Sequence, residues 1–204
     1  MYKYEEALLK RGYRTIAGTD EVGRGPLAGP LVCAAVILDP HNKIEGLNDS
    51  KKLSEKKREF LFDEIKKKAI AFSIVYIDEE TIDDINIYQA SKKGMLDAIE
   101  QLSVKADYVL SDAMPLGDIK HESIIKGDSK SASIAAASIL AKVDRDRFMV
   151  ELSKKHPEYG FEKHKGYPTK QHIEALNTYG VLDVHRKTYK PVYDKLHEQM
   201  KLEI

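Results

Sequence analysis

The sequence predicts an α/β fold in which helices cover a mixed β-sheet. Strand-like runs come first along the chain and then alternate with helical patterns, an order typical of such sheets. The 204 residues are 42% hydrophobic and 32% charged, which is enough apolar material for one well-packed core. No internal repeat, low-complexity tract or long linker is found, so we expect a single domain over residues 1–204.

The first two strands are predicted to form a hairpin. A short helix over Tyr4 to Lys10, closed by Gly12, precedes an extended run from Arg14 to Asp20. A Gly/Pro-rich turn separates this run from the apolar strand Leu31 to Leu38, and two strands so close in sequence favour a hairpin. The single Cys33 lies in the second strand, where it is expected to be a small buried hydrophobe.

Helices and strands alternate after the hairpin. Ser54 is predicted to N-cap a basic helix that runs to about Lys68. The inward-facing residues of this helix are predicted to be Phe60, Leu61 and Ile65. The next strand is Ala71 to Ile77, and the helix that follows, Thr81 to Leu102, is expected to be interrupted near Ile87.

Two short strands, Tyr108 to Asp112 and Ser123 to Lys126, lead into a fourth helical region. From Ser133 to Ala141 this helix is apolar or small on every side, so it should be buried against closely approaching neighbours, and Pro157 ends it. Two more helices are predicted at Thr169 to Gly180 and at Pro191 to Leu202.

Charge and hydropathy narrow the class of protein only slightly. Lys plus Arg and Asp plus Glu both number 33, so the net charge neither predicts nor excludes a polyanionic partner. The longest apolar run, residues 31–38, is far shorter than the roughly 20 residues of a membrane helix. Acidic residues near the N-terminus argue against a secretory signal, so we expect a cytoplasmic protein.

Acidic residues follow three of the predicted strands. Asp20 and Glu21 end the first, Asp112 ends the fourth, and Asp128 follows the fifth. Alone, each could be a solvated strand end, a turn residue or a helix cap. Together they should meet at one sheet edge and repel one another unless a cation joins them. Oxygen-only ligands favour Mg²⁺ or Mn²⁺ over zinc, and such ions suit phosphoryl transfer.

The two adjacent acids raise a geometric difficulty. Successive strand residues point to opposite faces, so Asp20 and Glu21 can meet one ion only if the strand ends or bulges there. Gly23 and Gly25 could supply that freedom and let backbone N–H groups approach a ligand, and Arg24 could donate to a phosphate. The alternative is a plain Gly/Pro hairpin loop carrying a surface arginine.

Several long motifs then resemble those of one family in the same order. They are Gly18–Leu27, Leu47–Ser54, Val109–Asp112, Lys126–Asp128, Ile134–Asp146 and His164–Thr169. The chain is thereby similar to the type 2 ribonuclease H family, and within it to the ribonuclease HII group. This resemblance implies a ribonuclease H-like fold with a mixed five-stranded sheet flanked by helices. A small helical C-terminal part, about 157–204, should pack on the domain.

The resemblance also implies an activity. The expected enzyme is an endonuclease that hydrolyses the RNA strand of RNA–DNA hybrids, and that incises DNA 5′ of single embedded ribonucleotides, as in ribonucleotide excision repair. Two ions of Mg²⁺ or Mn²⁺ would drive hydrolysis and leave 3′-hydroxyl and 5′-phosphate ends. The partner is nucleic acid rather than a membrane, and we expect a monomer. A related branch uses glutamate as its fourth acid, whereas this chain has Asp128.

Carried over by motif, the resemblance assigns candidate site residues. The catalytic and metal-binding acids would be Asp20, Glu21, Asp112 and Asp128. The device that senses a 2′-hydroxyl would comprise Gly23, Arg24, Gly25 and Tyr167. Residues that could hold phosphates are Asn48, Lys51, Lys165 and Arg186. For Tyr167, ordinary loop packing remains the alternative. For the whole chain, the alternatives are a non-catalytic nucleic-acid-binding protein and a nucleotide-binding enzyme. Asp146 is expected to pair with neighbours such as Arg145.

Overall fold

The structure, a computed structural model, describes residues 1–202 and contains one five-stranded mixed sheet. The strands are β1 (Ile16–Val22), β2 (Leu31–Ile37), β3 (Ala71–Ile77), β4 (Tyr108–Asp112) and β5 (His121–Ile124). Their order across the sheet is β3-β2-β1-β4-β5. β1 pairs antiparallel with β2, which confirms the hairpin, and β4 lies parallel to both β1 and β5. The predicted α/β fold is therefore confirmed.

The helices lie close to the positions that the sequence predicts. They are α1 (Lys3–Lys10), α2 (Glu55–Lys68), α3 (Glu79–Glu100), α4 (Ala132–Lys155), α5 (Phe161–His164), α6 (Lys170–Tyr179) and α7 (Lys190–Leu202). Ser54 caps α2 by accepting a hydrogen bond from the backbone N–H of Lys57, at 3.3 Å. Thr169 caps α6 in the same way, and Gly180 follows its last turn. None of the helices within residues 1–202 is long and apolar enough to span a membrane.

The chain divides into two compact units. Unit one comprises Met1–Val22, Val32–Tyr76 and Ser91–Val143. Unit two comprises Gly23–Leu31, Ile77–Ala90 and the chain from Asp144 onward. The four predicted acids belong to unit one, whereas the glycine turn and Tyr167 belong to unit two. A single domain with a helical extension over 157–204 stays a prediction.

The core of unit one explains why α4 is made of small residues. Alternate residues of β2 pack with α2 and α4, namely Val32, Ala34 and Val36. The opposite side of β2 carries Cys33, which is fully buried 3.9 Å from the carbonyl oxygen of Ser91 in α3. A Cβ on Gly18 of β1 would stand 2.1 Å from the backbone carbon of Ser133, so strand and helix touch through their backbones. The predicted burial of α4 is confirmed.

The predicted interruption of α3 near Ile87 is confirmed, because the adjacent Asn86 has a non-helical φ of 66°. Two local predictions differ from the structure. Phe60 is 56% exposed, and Phe62 instead joins Leu61 and Ile65 in the core. The last strand begins and ends two residues early, because Lys126 takes a left-handed conformation that starts a turn.

Candidate active site

Asp20 and Asp112 lie side by side at one edge of the sheet. The parallel register of β1 and β4 pairs Thr19 with Ser111, so the next residue on each strand is one of the two acids. Both strands run in the same direction, and their carboxyl ends therefore present these side chains at a common edge. Asp20 is only 5% exposed, which makes it a buried acid beside a second one.

The environment of Asp20 disfavours its charged form relative to a carboxylate in water. Burial, followed by repulsion from Glu21 and Asp112, raises the pKa of Asp20 well above its usual range. Hydrogen bonds from the Ser138 side chain and the Glu21 backbone N–H, the latter at 2.8 Å, oppose that rise. These donors and neighbours are the surroundings of a carboxylate that gains from a bound cation.

Asp128 belongs to the same electrostatic group through Asp112. It lies in a 3₁₀ turn, Gly127–Ser129, whose Gly127 N–H donates to Oδ1 of Asp112 at 2.7 Å. Burial raises the pKa of Asp128, and the charges of Asp112 and Asp49 raise it further. Asp112 is thus close enough to raise the pKa of both Asp20 and Asp128.

The predicted end or bulge of the strand at Asp20 and Glu21 is wrong. β1 continues in regular register through Val22, and Glu21 pairs opposite Cys33 of β2. The alternation of a regular strand therefore sends Asp20 and Glu21 to opposite faces. In the described part of the chain, no group of three or more His, Cys, Asp or Glu side chains is arranged as a metal site. The chemistry of the donor set nevertheless fits a hard divalent ion, because all its ligands are carboxylate oxygens that repel one another.

In unit two, the glycine turn rests on two buried arginines. Arg145 donates to the carbonyl oxygens of Pro30 at 2.9 Å and Ala28 at 3.2 Å, and Arg186 donates to those of Gly29 at 2.8 Å and Arg24 at 3.1 Å. Both guanidiniums are 0% exposed. The loop carbonyls are thereby drawn toward the protein interior, while the Arg24 side chain stays exposed.

Tyr167 lies against the glycine turn. Its ring is 3.4 Å from the position that a Cβ on Gly25 would occupy, and the side chain is 39% exposed. Gly23 has φ +107°, and a Cβ there would stand 2.3 Å from Nε of Arg145. Among the predicted sensing residues, the structure therefore places Gly25 in contact with Tyr167 and packs Gly23 against Arg145.

The four predicted phosphate contacts have different surroundings. Asn48 and Lys51 are exposed in unit one, and Lys51 is near enough to Asp128 to lower its pKa. Lys165, in unit two, is half-buried and donates its ammonium to the carbonyl oxygen of Glu162. Arg186 is fully buried beneath the glycine turn. Phosphate binding by these residues stays a prediction.

Sequence reasoning missed the structural importance of Arg145. The sequence indicates Arg145 only as a pairing partner of Asp146, whereas the side chain lies among the buried residues of unit two and contacts three loop carbonyls, including that of Lys165 at 3.0 Å. A signal was present in the sequence. Arg145 shares helical spacing with Ala141 and Met149, both fully buried, so it lies on the apolar face of α4.

Comparisons with known proteins identify relatives of this chain in sequence and in fold. A family model described as Ribonuclease HII matches residues 17–193. A ribonuclease HII from Bacillus cytotoxicus is 59% identical over 201 residues, which cover 98% of this chain and 78% of that protein. The crystal structure of ribonuclease H2 from Pyrococcus horikoshii OT3 matches with a TM-score of 0.79 at 26% identity, over 92% of this chain and all of that one. Bst-RNase HIII in complex with Mn²⁺ shares the fold, with a TM-score of 0.71 at 18% identity over 92% and 70% of the two chains.

The fold and these matches define a nuclease of the ribonuclease H class, a hydrolase that acts on nucleic acid. Within that class, the chain belongs to the ribonuclease HII family. Its activity is accordingly endonucleolytic hydrolysis of RNA in RNA–DNA hybrids.

Proposed function

We propose that this ribonuclease H also incises DNA duplexes at the 5′ side of a single embedded ribonucleotide, using divalent ions held by Asp20, Glu21, Asp112 and Asp128. The observation that supports the metal site is the position of Asp20 and Asp112 side by side at the ends of β1 and β4, with the turn of Asp128 hydrogen-bonded to Asp112, so that Asp112 repels both Asp20 and Asp128. A bound cation would relieve this repulsion. The products would carry 3′-hydroxyl and 5′-phosphate ends.

The carboxylates have the donor chemistry for Mg²⁺ or Mn²⁺, and a protein of the same fold was crystallised with Mn²⁺. When bound, two such ions supply an activated water and stabilise the leaving 3′-oxygen. The protein prepares for them through fixed backbone contacts. The Gly127 N–H orients Asp112, and the Ser138 side chain with the Glu21 N–H orients Asp20. Glu21 leaves the opposite face of β1, so its carboxylate would have to reach the ions around the end of the strand, which follows at Val22; its charge nevertheless helps to raise the pKa of Asp20.

The glycine turn and Tyr167 are proposed to recognise the RNA–DNA junction. A glycine backbone can approach and hydrogen-bond a 2′-hydroxyl, which is the group that distinguishes RNA from DNA. The tyrosine ring, exposed beside Gly25, can pack on the next sugar and disfavour another 2′-hydroxyl there. Arg186 supports this turn from beneath through the carbonyls of Arg24 and Gly29, and we assign it that supporting role.

The test is cleavage of a labelled DNA duplex that contains one ribonucleotide, with Mg²⁺, Mn²⁺ or EDTA. Wild type should cut once, 5′ of the ribonucleotide, with either ion and not with EDTA. Asp112→Asn should lose this activity, whereas Asp118→Asn, a matched change of an exposed acid in the loop after β4, should keep it. Cutting by wild type in EDTA, or undiminished cutting by Asp112→Asn, would contradict the metal assignment. Cutting of long hybrids alone would contradict the junction assignment.

A further inference from the structure

Unit two contains three buried histidines that the proposed chemistry does not use. His164, His172 and His185 are 8%, 0% and 1% exposed. The rings of His164 and His172 stack with centroids 4.6 Å apart, and the Nε2 atoms of His172 and His185 are 3.2 Å apart. The group lies next to the segment that carries Tyr167, so its hydrogen bonds bear on the position of that tyrosine.

The contacts of His185 determine which of its nitrogens carries the proton. Its Nδ1 is 3.0 Å from the backbone N–H of Leu182, which can only donate, so Nδ1 accepts and Nε2 carries the proton. The Leu182 carbonyl is the more distant partner, 3.3 Å from Nδ1, and it accepts the backbone N–H of His185 at 3.0 Å, so the shorter N–H contact decides the role of Nδ1. Because Nε2 of His185 is protonated, it donates to Nε2 of His172.

The direction of the His185–His172 hydrogen bond determines how His172 bonds to Tyr167. Since its Nε2 accepts, neutral His172 carries its proton on Nδ1, which is 3.0 Å from the carbonyl oxygen of Tyr167. A carbonyl oxygen can only accept a hydrogen bond, so the contact with Tyr167 requires the proton of His172 to be on Nδ1. The contacts that run from Leu182 through His185 require the same tautomer of His172. Burial lowers the pKa of both His172 and His185 to about 4, which keeps both rings neutral near pH 7.

Contacts other than this relay also restrict the backbone around Tyr167. Lys165 and Gly166 both have positive φ, of 52° and 84°. A Cβ on Gly166 would stand 2.3 Å from the carbonyl oxygen of Ala28, so the segment is closely packed at that point. His164 accepts the Gly166 N–H at 3.3 Å and bonds the Tyr159 carbonyl at 2.9 Å, holding the segment from the same side as His172.

We propose that His172 and His185 are positioning residues that hold the Tyr167 ring in place for junction recognition. They do so through a relay of hydrogen bonds in which the Leu182 N–H donates to His185, His185 donates to His172, and His172 donates to the carbonyl oxygen of Tyr167. The inference rests on the proposed role of Tyr167. A metal site is a poorer explanation of the cluster, because the ring nitrogens already hydrogen-bond one another or the backbone.

Two substitutions of His172 separate positioning from packing. In His172→Asn the side-chain amide nitrogen can take the place of Nδ1 and keep the bond to Tyr167. In His172→Gln the amide reaches the Nε2 position and loses that bond. The measured quantity is the ratio of kcat/KM on a duplex with one ribonucleotide to kcat/KM on a long RNA–DNA hybrid. We expect the ratio to fall about 3- to 10-fold in His172→Gln, as for loss of one hydrogen bond, and to stay within about 2-fold of wild type in His172→Asn. His41→Asn, at an exposed histidine of unit one, is the control.

A Tyr167→Ala background shows whether the relay acts through the tyrosine. If it does, His172→Gln adds no further fall in the ratio there. A fall of equal size on both substrates, or no fall in His172→Gln while Tyr167→Ala lowers the ratio, overturns the inference alone. An unchanged ratio in Tyr167→Ala overturns both the junction assignment and the inference that rests on it.

The wild-type protein offers a check that needs no variant. Nitrogen-15 NMR of the histidine rings at pH 7 should show His172 protonated at Nδ1 and His185 protonated at Nε2. The opposite tautomers, or a charged ring at either position, would overturn the relay even if a variant failed to fold.

Discussion

Adding one methyl group at Gly23 should destabilise the protein severely. The left-handed φ of +107° costs a non-glycine residue about 1–3 kcal/mol. The new Cβ would stand 2.3 Å from Nε of Arg145 and 3.0 Å from the carbonyl oxygen of Pro30, the two atoms that hydrogen-bond each other. Losing a bond from a charged donor costs about 1.5–3 kcal/mol. Gly23→Ala should therefore lower the free energy of unfolding by about 2.5–6 kcal/mol, out of the roughly 5–15 kcal/mol typical of a protein.

Gly25→Ala is the matched control, two residues along the same turn. Gly25 has a φ outside the left-handed region, and its added Cβ would make an ordinary contact of 3.4 Å with the Tyr167 ring. Its free energy of unfolding should stay within about 1 kcal/mol of wild type. Urea unfolding followed by circular dichroism compares the three proteins. Equal destabilisation by both changes, or a loss below about 1 kcal/mol for Gly23→Ala, would refute the reasoning that Arg145 fills the space beneath Gly23.

Three further outcomes are expected. Gly18→Ala should cost about 3 kcal/mol, because its Cβ would meet the backbone of Ser133 at 2.1 Å; an unchanged urea midpoint would contradict that contact. The low pKa values of His172 and His185 mean that the unfolded chain binds protons that the folded chain rejects. Their contribution to stability is therefore present above pH 6.5 and is lost as pH falls toward 4, by about 2 kcal/mol per histidine from pH 7 to 5. Urea unfolding should show a shallower pH dependence in His172→Asn than in wild type. Mg²⁺ or Mn²⁺ should raise the Tm of wild type but not of Asp112→Asn, and equal shifts would place the ion elsewhere.

The sequence predicts the fold well wherever one physical signal dominates. The bounds of β3 and β4 agree with the structure because short apolar runs stand between clear helix and turn signals. The inward face of α2 was harder to predict, since Phe60 and Phe62 are both aromatic and only the packing of the strand decides between them. Helix caps at Ser54 and Thr169 depend on local chemistry and were predicted correctly.

The candidate site was predictable in its acids but not in its support. Strand ends at a shared edge are a topological property, so Asp20 and Asp112 could be grouped from the sequence. The bulge expected beside Asp20 does not form, because pairing with β2 holds the strand regular through Val22. Arg145 and His172 were overlooked because polar residues are normally assigned to the surface, and only tertiary contacts reveal that each satisfies buried carbonyls.

The buried arginines give the glycine turn a local positive charge that the net charge of the chain does not reveal. The chain has a formal net charge of zero. Arg145, with its pKa lowered by burial to about 10, and Arg186 both remain protonated at neutral pH, so two permanent positive charges lie under the turn. Salt screens buried charges much less than exposed ones. If the turn binds nucleic acid as proposed and water is excluded from the contact, the contribution of these two charges should persist at ionic strengths that cancel the attraction of surface lysines.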